Sequence, residues 1–190
     1  MITNPDRSGW FGASDTRFVV AKNRNTKTWL NWWSVKLGLQ EATEIHTMAM
    51  DAGTAWEHKV LNAVNPSIRK DHQICIDKYR LRVNYDGDID NRIYEVKTHN
   101  FLKDFKVTNP YWKQAQAEMF AWKLKYGVVP NLYIVAYGLV EQEYKDYSGK
   151  VDEGRLDYFP IEYDRGWIHG EYLPNLKELC RALRKGRFPG

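Results

Sequence analysis

Apolar residues recur along the chain with two different periods, and the switches between them outline the elements. Ser14, in Gly12-Ala13-Ser14-Asp15, suits a helix N-cap ahead of Phe18, Val19 and Val20. Residues 28–37 form a second helical stretch closed by Gly38. A third, 42–64, carries Ile45, Met48 or Ala49, Ala52, Trp56, Val60 and Ala63 at helical spacing and ends near Asn65-Pro66. Over 73–98 the period falls to two: Tyr79, Leu81, Val83 and Tyr85 alternate with Arg80, Arg82 and Asn84. Asp86-Gly87-Asp88 and Asp90-Asn91 are prone to turns or bulges, and 92–97 reads as a short strand. A helix then follows Pro110, with Trp112, Ala115, Met119, Trp122 and Tyr126 on one stripe. The run LYIVAY at 132–137 is apolar throughout, as in a strand covered on both faces. Residues 144–147 and 156–163 read as outer strands, where Pro160 suits an edge. A closing helix turns Leu173, Leu176, Leu179 or Cys180, and Leu183 inward. This order predicts an α+β or mixed α/β core, in one domain spanning 1–190.

Composition narrows the setting. The 190 residues are 43% hydrophobic and 27% charged, ordinary for a globular chain and unlike a disordered one. No apolar run approaches the roughly 18–20 residues of a membrane span, and the N-terminus has no signal-peptide pattern, so a cytoplasmic setting is expected. Two cysteines cannot build a four-thiolate metal site or a disulfide framework. The 28 Lys+Arg against 24 Asp+Glu leave a net charge of +4, compatible with nucleic-acid binding without arguing for it. The many aromatic rings are expected to fill core. The five histidines lack zinc spacing, and no phosphate-binding GxxxxGK[ST] or GxGxxG loop is present, so no nucleotide cofactor is expected.

The chemistry concentrates in 83–97, VNYDGDIDNRIYEVK. Glu95 and Lys97, two apart on a strand, share a face. A hairpin turning near 90–92 brings Asp86 across from Glu95, so two carboxylates and an ammonium meet. Hard divalent cations such as Mg²⁺ take that oxygen set, and the ammonium can act on a nucleophilic water or a phosphate. An exposed hairpin with scattered charges is the plain alternative. Glu57 flanks the apolar face of the third helix, where a carboxylate needs a cation: a nearby Arg or Lys, or the same metal. Gln116 flanks the stripe of Trp112 and Met119 and needs a hydrogen-bonding partner if buried. Arg7 with Ser14 at a helix start suits a terminal phosphate. Taken singly, Gln116 reads as a polar flank and Ser14 as a plain cap.

In order and spacing these segments resemble the PD-(D/E)xK nucleases, specifically the lambda-type phage exonucleases and YqaJ-like viral recombinases. Gly53-Thr54-Ala55-Trp56-Glu57 is similar to their G-xxx-E helix, Asn84-Tyr85-Asp86-Gly87 to their S-P-D-G, and Glu95-Val96-Lys97 to their E-x-K. Residues 111–119 resemble their Y-xx-Q-x-Q-xx-M helix. The resemblance implies a restriction-endonuclease-like core, a central mixed sheet flanked by helices. It implies metal ligation by Asp86, Glu95 and the Val96 carbonyl with support from Glu57, catalysis by Lys97, and an active-site amide from Gln116 or Gln114. Asp88 and Asp90 are competing ligands to Asp86. Arg7 and Ser14 would hold a DNA 5′-phosphate. The expected activity is Mg²⁺-dependent, with Mn²⁺ substituting: 5′→3′ hydrolysis of linear duplex DNA in phage recombination. The expected partners are duplex DNA with free ends, a single-strand annealing protein and further copies of the chain. The alternatives are a PD-(D/E)xK endonuclease or RecB-like repair nuclease of other polarity, and a catalytically silent DNA-binding protein of the same fold.

Overall fold

The computed structural model describes residues 8–42 and 47–189. A 3₁₀ turn, Ala13–Asp15, runs into α1 (Thr16–Val19) and is followed by α2 (Lys27–Lys36) and α3 (Met48–Val64). Three strands come next: β1 (Arg69–Ile76), β2 (Leu81–Ile89) and β3 (Arg92–Asn100). Helix α4 (Asn109–Tyr126) leads to β4 (Asn131–Leu139) and β5 (Leu156–Ile161). The chain closes with α5 (Arg165–Trp167), one π-helical stretch Ile168–Tyr172, and α6 (Leu173–Arg184). No helix among the described residues is long and apolar enough to cross a membrane.

The sheet order is β1-β2-β3-β4-β5, antiparallel except for the parallel β3–β4 pair that α4 connects. The expected mixed sheet with flanking helices is therefore present. Strand β4 is buried on both faces, as its apolar run predicts: Leu132 and Ile134 join one core cluster, Val135, Tyr137 and Leu139 the other. The first cluster unites β2 with α2, α4 and α6, and the second unites the sheet with Ala52, Trp56, Val60 and Leu61 of α3. Trp29, Trp33 and Trp56 are buried, so these rings do fill core.

Several boundaries move. Helix α3 starts at Met48, six residues later than the spacing suggests, because the Thr47 hydroxyl accepts the Met50 N–H as a cap; Ile45 lies outside the described residues. Tyr79 is not in a strand: Asp77–Tyr79 is a 3₁₀ turn, ended by Arg80 at φ 49°, which divides β1 from β2. The outer strand expected at 144–147 is absent; Glu141–Tyr144 is a 3₁₀ turn in which Glu143 accepts the Val140 N–H and pairs with Arg155. Pro160 does lie on an edge strand, where its missing N–H costs no ladder bond.

Around Asp86 the ladder is distorted. The β2–β3 pairing runs from Ile89↔Arg92 only to Gly87↔Tyr94, then the strands part. Opposite Asp86 on β1, Asp71 takes φ 56°. Tyr85 reaches α4, its hydroxyl donating to the Glu118 carbonyl at 2.9 Å, whereas a Cβ on Gly87 would point at Leu61 of α3 and at Ile68. Residues two apart on a regular strand share a face. The pleat therefore slips at Asp86, and the carboxylate enters the gap between β2 and β3.

Candidate active site

Hydrogen bonds among β2, β3 and α4 anchor the site. Asp86 Oδ2 accepts the Val96 N–H at 2.8 Å, filling the place a strand carbonyl would take had β2 and β3 stayed paired. On the same strand, Glu95 Oε1 accepts from the Lys97 ammonium and from the Gln114 amide of α4. A strand residue sends its N–H and C=O to the same side, so the Val96 carbonyl also opens into the gap. Gln114 Nε2 donates in addition to Glu118 Oε1, one turn along α4, at 2.9 Å. Glu57 enters from α3, where Gly53 lets the helix approach β3: a Cβ there would lie 3.3 Å from Thr98 Oγ1.

These groups feel one another electrostatically. Burial, then Glu95 and Glu57, hold Asp86 well above the usual carboxylate range. Burial and Glu95 raise Glu57 as well, and do the same, more strongly, to Glu118. Burial opposes the charge on Lys97, but Glu95 and Asp86 outweigh it and hold the ammonium above its ordinary value. Four carboxylates against one ammonium are a cation-seeking set. Glu95 is only 3% exposed, yet its Oε2 has no hydrogen-bond partner; Glu118 Oε2 is likewise buried and unpartnered. Such oxygens are costly unless something binds them. An all-oxygen donor set with an orphaned carboxylate oxygen fits a hard divalent cation. Beside it, Glu57, His58 and Asp71 bring one ligand atom each to within 4.8 Å of one another. His58 Nε2 lies 3.3 Å from Asp71 Oδ2. Lys59 donates to the Tyr147 and Gly149 carbonyls and ties that loop to α3.

The three aspartates separate clearly. Asp86 joins Glu95, Glu57 and Lys97. Asp88 is held by Arg69 at 2.8 Å and His72 at 2.8 Å, and Asp90 is an exposed turn residue at φ 54°. The two glutamines also separate. Gln114 reaches the carboxylates. Gln116 is fully buried elsewhere, donating to the Glu162 carbonyl at 2.7 Å and accepting the Asp164 N–H at 2.8 Å. Ser14 is not a cap, because Gly12 precedes the turn and Asp15 Oδ2 accepts its N–H at 2.7 Å. Ser14 does line a cavity of about 120 Å³, with Trp10, Gly12, Lys36, Arg82, Asn84 and Gln114 on its walls. Lys36 is buried there against Asp15 at 2.6 Å. Arg7 lies outside the described residues. No motif in the sequence marks Glu118, Trp10, Lys36 or Arg82 as site residues; for Glu118 the available signal is its i,i+4 spacing from Gln114.

No protein-family model and no curated protein sequence matches the chain. Solved structures do match. An alkaline exonuclease from Laribacter hongkongensis superposes with a TM-score of 0.68 at 20% identity, covering 94% of this chain and 90% of that one. Its complex with dAMP matches equally well. A phage-related exonuclease from Haemophilus somnus 129PT gives 0.61 at 14% identity, covering 93% and 92%. Fold likeness thus extends over nearly the whole length of both partners, in agreement with the motif resemblance. This chain has the fold of these exonucleases, and the case for its chemistry rests on its own side chains.

Proposed function

We propose that the chain is a divalent-metal-dependent deoxyribonuclease that hydrolyses linear duplex DNA from 5′-phosphorylated ends. The carrying observation is the convergence of Asp86, Glu95, Glu57 and Lys97 around a buried carboxylate oxygen that lacks a partner. Asp86, Glu95 and the Val96 carbonyl would hold the cation, with Glu57 at its flank. When bound, Mg²⁺ would supply an activated water and neutralise charge on the scissile phosphate and leaving oxygen.

The chain's own groups do the rest. Lys97, kept as an ammonium by Glu95, has donors only; it orients the attacking water and stabilises negative charge on the phosphate. Tyr111, with its ring 5.4 Å from the Lys97 nitrogen, limits where that ammonium can go. Gln114 holds Glu95 in place and also borders the cavity beside Ser14. A terminal phosphate seated in that cavity would set a phosphodiester further along the strand at the carboxylates, which supports attack from the 5′ end. Phosphate contacts of this kind carry no base sequence. Action in phage-type recombination beside a single-strand annealing protein is the setting that follows from the motif resemblance.

The test is digestion of linear duplexes bearing defined 5′ and 3′ ends, with Mg²⁺ or EDTA. Mg²⁺-dependent release of mononucleotides from 5′-phosphorylated ends is expected, with Lys97→Ala at least 100-fold slower. Circular duplex cut as fast as linear would replace this reading with an endonuclease, and unaltered DNA under every condition would leave a binding protein.

A further inference from the structure

We propose that Trp10 is a stacking platform for the base of the 5′-terminal nucleotide, placed at the rim of the cavity that takes its phosphate; this builds on the 5′-end reading above. The ring is rigidly presented. Phe11 forms a parallel bridge with Leu81, donating its N–H to the Arg80 carbonyl at 2.7 Å and accepting the Arg82 N–H at 2.8 Å. Arg80 returns along the same segment, its Nε donating to the Gly9 carbonyl at 2.8 Å and its guanidinium lying 4.5 Å from the Trp10 ring centroid. Gly9 stands at φ 69°, and a Cβ there would come within 3.0 Å of the Arg80 guanidinium. The chain is thus shaped to let that guanidinium back one face of the indole.

Trp10 differs from the core tryptophans. Trp29, Trp33 and Trp56 are buried and each donates its indole N–H to a backbone carbonyl, whereas Trp10 is only partly buried, with no hydrogen bond from its indole among the described residues. It lines the cavity with Ser14, Arg82, Asn84 and Gln114. A phosphate seated among these polar walls leaves its sugar and base beside the Trp10 ring, which forms one side of the cavity. Every base has a π-face, so the platform favours an intact terminal base without selecting its identity.

The test uses Lys97→Ala protein in EDTA, so that binding is read without cutting, and fluorescence anisotropy with duplexes differing only at one 5′ end. The ends are a phosphorylated natural nucleotide, a phosphorylated abasic tetrahydrofuran, and an unphosphorylated natural nucleotide. The natural phosphorylated end should bind about 5- to 150-fold tighter than the abasic one, the range of one stacked base. Adding Trp10→Leu should bring that ratio to near 1, and Trp10→Phe should keep most of it. Thermal melts check that the variants fold. A ratio that survives in Trp10→Leu, or one near 1 while phosphate is still preferred over hydroxyl, overturns the platform and leaves the 5′-end reading intact. Equal binding of phosphate and hydroxyl ends overturns both.

Discussion

Gly87→Ala is the sharpest test of how the site is built. Gly87 sits beside Asp86, where β2 parts from β3, and faces Ile68 and, on α3, Leu61. A Cβ built on it would lie 2.5 Å from Ile68 Cγ2 and 2.8 Å from Leu61 Cδ2. Carbon atoms prefer about 3.5–4.0 Å, so the methyl overlaps Ile68 by about 1 Å. Neither neighbour has room to retreat, with Leu61 at 0% and Ile68 at 3% exposure. Overpacking of this kind costs about 1–3 kcal/mol. At roughly 2–4 °C per kcal/mol for a chain of this size, Tm should fall by about 2–12 °C. The relief available to the strand is to shift away from α3, which draws Asp86 off the Val96 N–H and lowers nuclease activity. Urea and thermal melts followed by circular dichroism measure the loss. Ile68→Ala deletes the nearest atom at its own cost, and in that background Gly87→Ala should lose at least about 1 kcal/mol less than alone, a coupling of the size that touching residues show. Strictly additive losses, or no loss from Gly87→Ala by itself, would refute the close packing of Ile68 and Leu61 against Gly87 of β2.

The two glutamines of α4 should part in opposite ways: Gln116→Ala should cost about 1–3 kcal/mol of stability because it strands the Glu162 carbonyl and the Asp164 N–H, whereas Gln114→Ala should cut activity at least tenfold and barely move Tm. Activity and melts on both variants decide it, and a Gln116→Ala protein that melts normally but is inactive would reverse the assignment. The carboxylate cluster sets a pH dependence. Asp86, Glu57 and Glu118 are raised above their ordinary 3.8 and 4.5, so above those values the folded metal-free protein keeps protons that the unfolded chain releases. Stability in EDTA therefore falls as pH rises through the raised range, while the raised Lys97 contributes stability that is lost only above its ordinary 10.5. Scanning calorimetry from pH 5 to 8 should show that decline flattened in Asp86→Asn, and Mg²⁺ should raise Tm more at pH 8 than at pH 5. A wild-type profile parallel to that of Asp86→Asn would remove the electrostatic argument.

Much of the site was legible where chemistry follows local spacing. Glu95 and Lys97 share a strand face because side chains alternate, and a two-residue turn at Asp90-Asn91 returns β3 alongside β2. The choice between Gln114 and Gln116 was not legible. On one helix two residues apart point some 200° from each other, and nothing in their composition says which direction holds the carboxylates and which the loop after β5. Asp88 and Asp90 were rival ligands by sequence and are excluded from the cluster by Arg69, His72 and the turn.

By itself the sequence determined the class of fold, the doubly covered β4, the edge position of Pro160 and the chemical kinds gathered in 83–97, because periodicity and turn propensity are local properties. Only the tertiary structure decided that the pleat slips at Asp86, that Glu118 joins the carboxylates, and that Trp10 lines a cavity while Trp29, Trp33 and Trp56 are buried in the core. Those outcomes depend on the approach of α3, α4 and the segment 8–12 to one sheet, and long-range packing leaves no periodic mark along the chain.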